Sequence, residues 1–127
     1  MRLYFDSVAT IYFVEGIEPW FSRIAAKLAA TGGRIVSSDL VRMECRVKPL
    51  RLGDSHLLAD FDAVFASSEF VPITATVFDR AAHIRATHGF KTPDSIHLAA
   101  ATESGCDAFL TNDVQLTRFP DLTVEVV

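Results

Sequence analysis

Short β-prone runs alternate with helical segments along the whole of this 127-residue chain, and this alternation constrains the fold more than any other feature. The runs are Arg2–Phe5, Arg34–Ser37, Phe70–Ile73, Ala108–Leu110 and Leu122–Val126. Helical patterns cover residues 7–15 and 19–31, split by Gly16 and Pro19, and Trp20, Ile24 and Leu28 recur at helical spacing before Gly32-Gly33 stops the second one. Ser38 and Asp54 are suited to cap two further helices. Pro49 is expected to end or kink the first of these near Lys48, because it lacks an N–H and clashes with the preceding turn. A helix over roughly 76–88 stops at Gly89, and Thr92-Pro93-Asp94 opens another as N-cap, proline and dipole-favoured acid. Residues 114–119 form a turn or short helix. Pro72 predicts an edge position for its strand. Parallel strands need helical crossovers, so the predicted class is α/β with a mainly parallel sheet.

Length and composition fit a single domain over residues 1–127. Half of the residues are apolar and the mean hydropathy is +0.26, enough to bury a core and to exclude disorder over most of the chain. The longest uncharged stretch is nine residues, Phe70 to Phe78, too short to span a bilayer. Asp6 interrupts any signal-peptide core. Cys45 and Cys106 lie in apolar patterns and make no disulfide framework, which points to a reducing compartment. The expectation is a cytoplasmic protein without membrane association.

Four acids fall where a parallel sheet binds ligands, outside the carboxyl ends of its strands. Asp6 follows the first strand, Asp113 follows the strand at 108–110, Glu44 lies about two helical turns beyond the strand at 34–37, and Asp94 opens a helix. Each alone has an ordinary explanation in turn or helix-end chemistry; their joint placement is what suggests a shared crevice. Clustered carboxylates repel unless a cation intervenes, and hard divalent ions such as Mg²⁺ or Mn²⁺ suit oxygen ligands. Such an ion can activate water and neutralise charge on a phosphodiester. His56, His83, His88 and His97 form no His-x-x-x-His pair and the cysteines no Cys-x-x-Cys, which disfavours zinc. His97 lies three residues after Asp94 and is read first as a helix-packing residue. The chain has no phosphate-binding Gly-x-x-x-x-Gly-Lys loop, no Gly-x-Gly-x-x-Gly and no Gly-x-Ser-x-Gly elbow. Val8 replaces the second acid that an aspartyl-nucleophile phosphatase requires.

Four local motifs carry a family resemblance: Leu3-Tyr4-Phe5-Asp6-Ser7, the segment Glu44 to Arg51, Thr92-Pro93-Asp94-Ser95-Ile96-His97-Leu98-Ala99-Ala100-Ala101, and Leu110-Thr111-Asn112-Asp113. In this order and over this length the chain resembles a PIN-domain ribonuclease, most like a VapC-type toxin of a toxin–antitoxin pair. The resemblance implies a three-layer α/β/α fold with a five-stranded parallel sheet. It implies that Asp6, Glu44, Asp94 and Asp113 are catalytic metal-binding acids, with Ser7, Thr111 and Asn112 in support. It also implies a Mg²⁺- or Mn²⁺-dependent endoribonuclease that forms a homodimer and is silenced by a cognate antitoxin. Val8 departs from the family pattern, which usually has Ser or Asn there to order metal-bound water.

The net charge is −4, from 12 basic and 16 acidic residues, so bulk basicity cannot drive binding to RNA. Setting the four candidate acids aside leaves bases and acids in balance. Arg42, Arg46, Lys48 and Arg51 form a candidate RNA-backbone track around Glu44, against the simpler reading of a solvated basic face. Phe13, Trp20 and Phe21 are core candidates, some of them suited to line a groove for an antitoxin helix. The competing function is a PIN-fold RNA- or protein-binding module with weak or no catalysis, for which Val8 is the argument.

Overall fold

The computed structural model describes all residues from Met1 to Val127. In chain order the elements are β1 (Arg2–Phe5), α1 (Ser7–Glu15), α2 (Trp20–Thr31), β2 (Arg34–Ser38), α3 (Asp39–Leu52), α4 (Ser55–Ala66), β3 (Glu69–Val71), α5 (Ala75–His88), α6 (Thr92–Glu103), β4 (Ala108–Thr111), a 3-10 turn (Val114–Arg118) and β5 (Val124–Val126). The five strands form one sheet in the order β3–β2–β1–β4–β5, and every neighbouring pair is parallel. The chain therefore lays β2 and β3 outward on one side of β1, then crosses to place β4 and β5 on the other. The carboxyl ends of β1 and β4 flank the point where the winding reverses, which is where open α/β sheets form a crevice.

Strand composition follows from this burial. Leu3, Tyr4, Phe5, Ala108, Phe109 and Leu110 are all fully buried, because β1 and β4 are covered on both faces. Alternation along the strands divides the core. Leu3, Phe5, Ala108 and Leu110 pack with Ala9 of α1 and Ile24 of α2. Tyr4, Val36 and Phe109 pack with the remaining helices through Val41, Phe61, Val77 and Leu98. The result is a three-layer α/β/α fold. No helix is long and apolar enough to cross a membrane.

Most expected boundaries agree with the structure to within a few residues. Ser38 caps α3 by accepting from the Val41 N–H, Asp54 caps α4 through Leu57, and β3 is an edge strand with Pro72 just beyond it. Two expectations are corrected. Pro49 neither ends nor breaks α3, which continues to Leu52. Its ring is buried, and its carbonyl still accepts from Asp54 at 2.9 Å, so packing and the capped last turn offset the one missing N–H. Thr92 is the first residue of α6 rather than its cap; Lys91 takes the cap position without a side-chain bond, and Pro93 falls within the first turn, where an N–H is not needed.

Candidate active site

Asp6 is the residue at which β1 becomes α1. Its N–H donates to the Leu110 carbonyl at 3.1 Å, extending the β1–β4 pairing by one step. Its Oδ1 accepts from the Ala9 N–H at 2.9 Å and caps α1. The side chain is nearly buried, and burial pushes its carboxyl above the usual range, with the charge of Asp94 adding to the effect. The Ala9 N–H and the Thr111 hydroxyl oppose that rise.

Asp94 projects from the first turn of α6, and its carboxyl is raised by partial burial first and by the charge of Asp113 second. Asp113 follows β4 and caps the 3-10 turn by accepting from Gln115 at 2.9 Å. Thr111 is fully buried, and its Oγ accepts from the Asp113 N–H at 3.0 Å, fixing the loop that carries the acid. Asn112 donates to the Tyr12 hydroxyl at 3.0 Å, and Tyr12 stacks on Trp20 with ring centroids 4.5 Å apart. These residues enclose a cleft of about 400 Å³ whose lining is Asp6, Val8, Tyr12, Asp94, Thr111, Asn112 and Asp113. Three of the four candidate acids thus share one cavity.

Glu44 does not line that cleft. Its Oε1 accepts from Ser7 Oγ and from His97 Nε2, both at 2.7 Å. The His97 bond is the main reason its carboxyl stays below the usual range. Of the four basic residues on α3, Arg46 pairs with Asp62 of α4 and Lys48 with Glu15 of α1, while Arg42 and Arg51 are exposed and form no ion pair. Because α3 is continuous through Pro49, Arg51 lies about half a turn around the helix from Arg42 at ~3.6 residues per turn. The four cations do not form a single row.

The PIN domain family model matches residues 3–122. The chain belongs to the PIN-domain family. Its fold is similar to that of VapBC2 from Rickettsia felis, solved bound to a DNA fragment from its promoter, with a TM-score of 0.81 and 15% identity over 99% of this chain and 98% of that one. A toxin–antitoxin complex from Klebsiella pneumoniae superposes with a TM-score of 0.77 and 20% identity, covering 98% and 95% of the two chains. VapC20 of Mycobacterium tuberculosis, a sarcin–ricin loop cleaving toxin, gives 0.70 and 14%, covering 95% and 98%. No curated protein matches the chain in sequence.

PIN-domain membership raises the question of whether these residues fit a divalent ion. No three acidic, histidine or cysteine side chains converge closely enough to ligate one ion unaided. Mg²⁺ needs no such cage: it retains several waters and is commonly held by one or two carboxylates. Asp6 and Asp94 supply hard oxygens in one cleft, and each is raised in part by a neighbouring carboxylate, the strain a cation would relieve. The donor set therefore fits Mg²⁺ or Mn²⁺ bound partly through water.

His97 lies in the core of this PIN domain and binds the candidate acid Glu44. It is buried at 3% exposure and bonds at both nitrogens, to Glu44 and to the Tyr4 hydroxyl at 2.8 Å. Its spacing from Asp94 puts the two on one helix face, a signal readable in the sequence. Tyr4 gave no such signal, since it lies 93 positions from His97.

Proposed function

We propose that this PIN-domain protein is a Mg²⁺- or Mn²⁺-dependent endoribonuclease, the toxin of a toxin–antitoxin pair. The observation that carries this reading is the convergence of Asp6, Asp94 and Asp113 in one open cleft at the reversal point of the sheet. Asp6 and Asp94 are the residues to hold the ion, with Asp113 beside them and Glu44 at the margin. A bound ion supplies charge neutralisation at the scissile phosphate and lowers the pKa of water.

The remaining chemistry belongs to the chain. Asp6 is fixed by its capping bond and Asp113 by Thr111, so neither carboxylate has to be ordered when RNA arrives. Asp113, exposed at the mouth of the cleft, is placed to accept a proton from the attacking water. Asn112, held to Tyr12, keeps the loop after β4 against α1. Of the four α3 cations, exposed Arg42 and Arg51 are the ones left free by ion pairing to meet RNA phosphates. Likeness to the Klebsiella pneumoniae complex supports an antitoxin as partner, and the family resemblance supports a homodimer.

A second reading, a PIN-fold binding module with weak or no catalysis, draws on Val8. It is 41% exposed on the cleft wall and supplies no hydroxyl to order water. One experiment separates the two: RNA cleavage with Mn²⁺, with EDTA, and by Asp94→Asn. The nuclease reading expects activity that EDTA abolishes and a loss of about a hundredfold in the variant. Equal cleavage in EDTA refutes the metal mechanism, and RNA binding without cleavage at millimolar Mn²⁺ selects the module.

A further inference from the structure

Glu44 is the candidate acid outside the cleft wall, yet its carboxylate is held at a defined orientation. Oε1 receives both available donors, Ser7 Oγ and His97 Nε2, whereas Oε2 has no protein partner and remains open to solvent. Behind His97 the bonds continue inward. Its Nδ1 meets the Tyr4 hydroxyl at 2.8 Å, and that hydroxyl meets Ser38 Oγ at 2.8 Å. Ser38 Oγ in turn accepts from the Val41 N–H, the cap of the helix that carries Glu44. Tyr4 and Ser38 are fully buried.

Donor accounting gives this chain one direction. An ionised carboxylate only accepts, so His97 Nε2 carries the hydrogen toward Glu44. For a neutral imidazole with one ring N–H so used, Nδ1 accepts from the Tyr4 hydroxyl, Tyr4 oxygen accepts from the Ser38 hydroxyl, and Ser38 accepts from Val41. Every donor then has an acceptor, which fixes the imidazole tautomer and plane. Tyr4 is itself immobilised by stacking on Phe109, with rings 5.3 Å apart and 7° from parallel. The relay thus ties Glu44 to the central strand and to the cap of its own helix.

We infer that His97, anchored through Tyr4 to Ser38, is a positioning residue that sets Glu44 so that Oε2 meets the divalent ion through water. This rests on the metal-dependent reading above. A merely structural histidine would stabilise the core without affecting how Glu44 meets a cation.

The test is Mn²⁺ affinity of the purified protein, read by titration calorimetry, with folding checked by circular dichroism. His97→Leu is expected to weaken Mn²⁺ binding at least about tenfold, and His97→Gln, which retains an N–H of similar reach, to recover most of that loss. Tyr4→Phe keeps the ring on Phe109 but removes the anchor, and is expected to weaken binding by about threefold. In a Glu44→Gln background both losses should vanish, because the relay acts only through that carboxylate. Undiminished affinity in folded His97→Leu overturns the inference, as does a loss of equal size in the Glu44→Gln background. Should His97→Leu fail to fold, the Tyr4→Phe and Glu44→Gln pair decides in the same way. Absence of Mn²⁺ binding by the unaltered protein defeats the metal reading and this inference together; binding that the relay variants leave untouched defeats the inference alone.

Discussion

In metal-free protein, Asp6→Asn is expected to raise the melting temperature at neutral pH, although it removes a candidate catalytic acid. Asn caps helices about as well as Asp, so the bond from the Ala9 N–H survives the change. What disappears is a carboxylate charge that burial and Asp94 disfavour. A carboxyl held more protonated in the folded chain than in the unfolded one stabilises the fold while protonated. That contribution is complete below the ordinary value of 3.8 and is lost as pH rises through the folded value. The unaltered protein therefore loses stability above about pH 4 that the variant keeps, and the gap widens until Asp6 is fully ionised. Each factor of ten in proton affinity is worth about 1.4 kcal/mol, and in a domain of this size 1 kcal/mol moves Tm by about 4 °C. Asp6→Ala, which also loses the cap, gives back about 1 kcal/mol of any gain. Bound metal should reverse the order: at a hundredfold excess over Kd it adds about 2.7 kcal/mol, or on the order of 10 °C, to the protein that binds it. The assay is thermal melting of the three proteins from pH 4 to pH 7, in EDTA and in Mn²⁺. If Asp6→Asn melts no higher than the unaltered protein in EDTA at pH 7, and Mn²⁺ shifts both equally, Asp6 is neither destabilised by burial nor part of an ion site.

Three further outcomes are expected. In RNA-binding titrations against salt, Arg42→Ala should reduce the slope of log K by about 1, and Arg46→Ala by less because its guanidinium already pairs with Asp62; equal effects would show that the ion pair does not compete with phosphate. Val8→Ser places a hydroxyl on the cleft wall and should tighten Mn²⁺ binding, by up to about tenfold; an unchanged Kd in calorimetry would contradict a missing water-ordering group. Gly33→Ala should destabilise by about 2–3 kcal/mol in urea unfolding, clearly more than a strained but roomy site, since its methyl would meet Leu3 Cδ1 and Thr31 Oγ at 2.8 Å. Gly53→Ala has open space around it and should cost only about 1 kcal/mol, from its left-handed φ of 63°; similar losses at both positions would refute the steric argument.

The sequence alone determined those features whose physics acts within a few residues. Buried parallel strands require continuous apolar runs, so Leu3–Phe5 and Ala108–Leu110 were legible, as was the acid ending each. Capping joins residues three apart, so Ser38 and Asp54 declared their helices. Strand order was not among them: it is the fold that sets β4 beside β1 and so makes Asp6 and Asp113 neighbours across the reversal of the sheet. Tertiary structure decided what depends on side chains meeting across elements. The proline that local propensity makes a helix breaker is retained inside α3, where its buried ring packs. Two of the four cations around Glu44 are claimed by Asp62 and Glu15, which no spacing on α3 could reveal. Glu44 itself was separated from the cleft wall and bound to His97, 53 positions away, and His97 to Tyr4, 93 positions away. Such pairings carry no sequence period: they exist because burial leaves a polar atom costly unless a partner reaches it, and only the packed fold specifies which partner does.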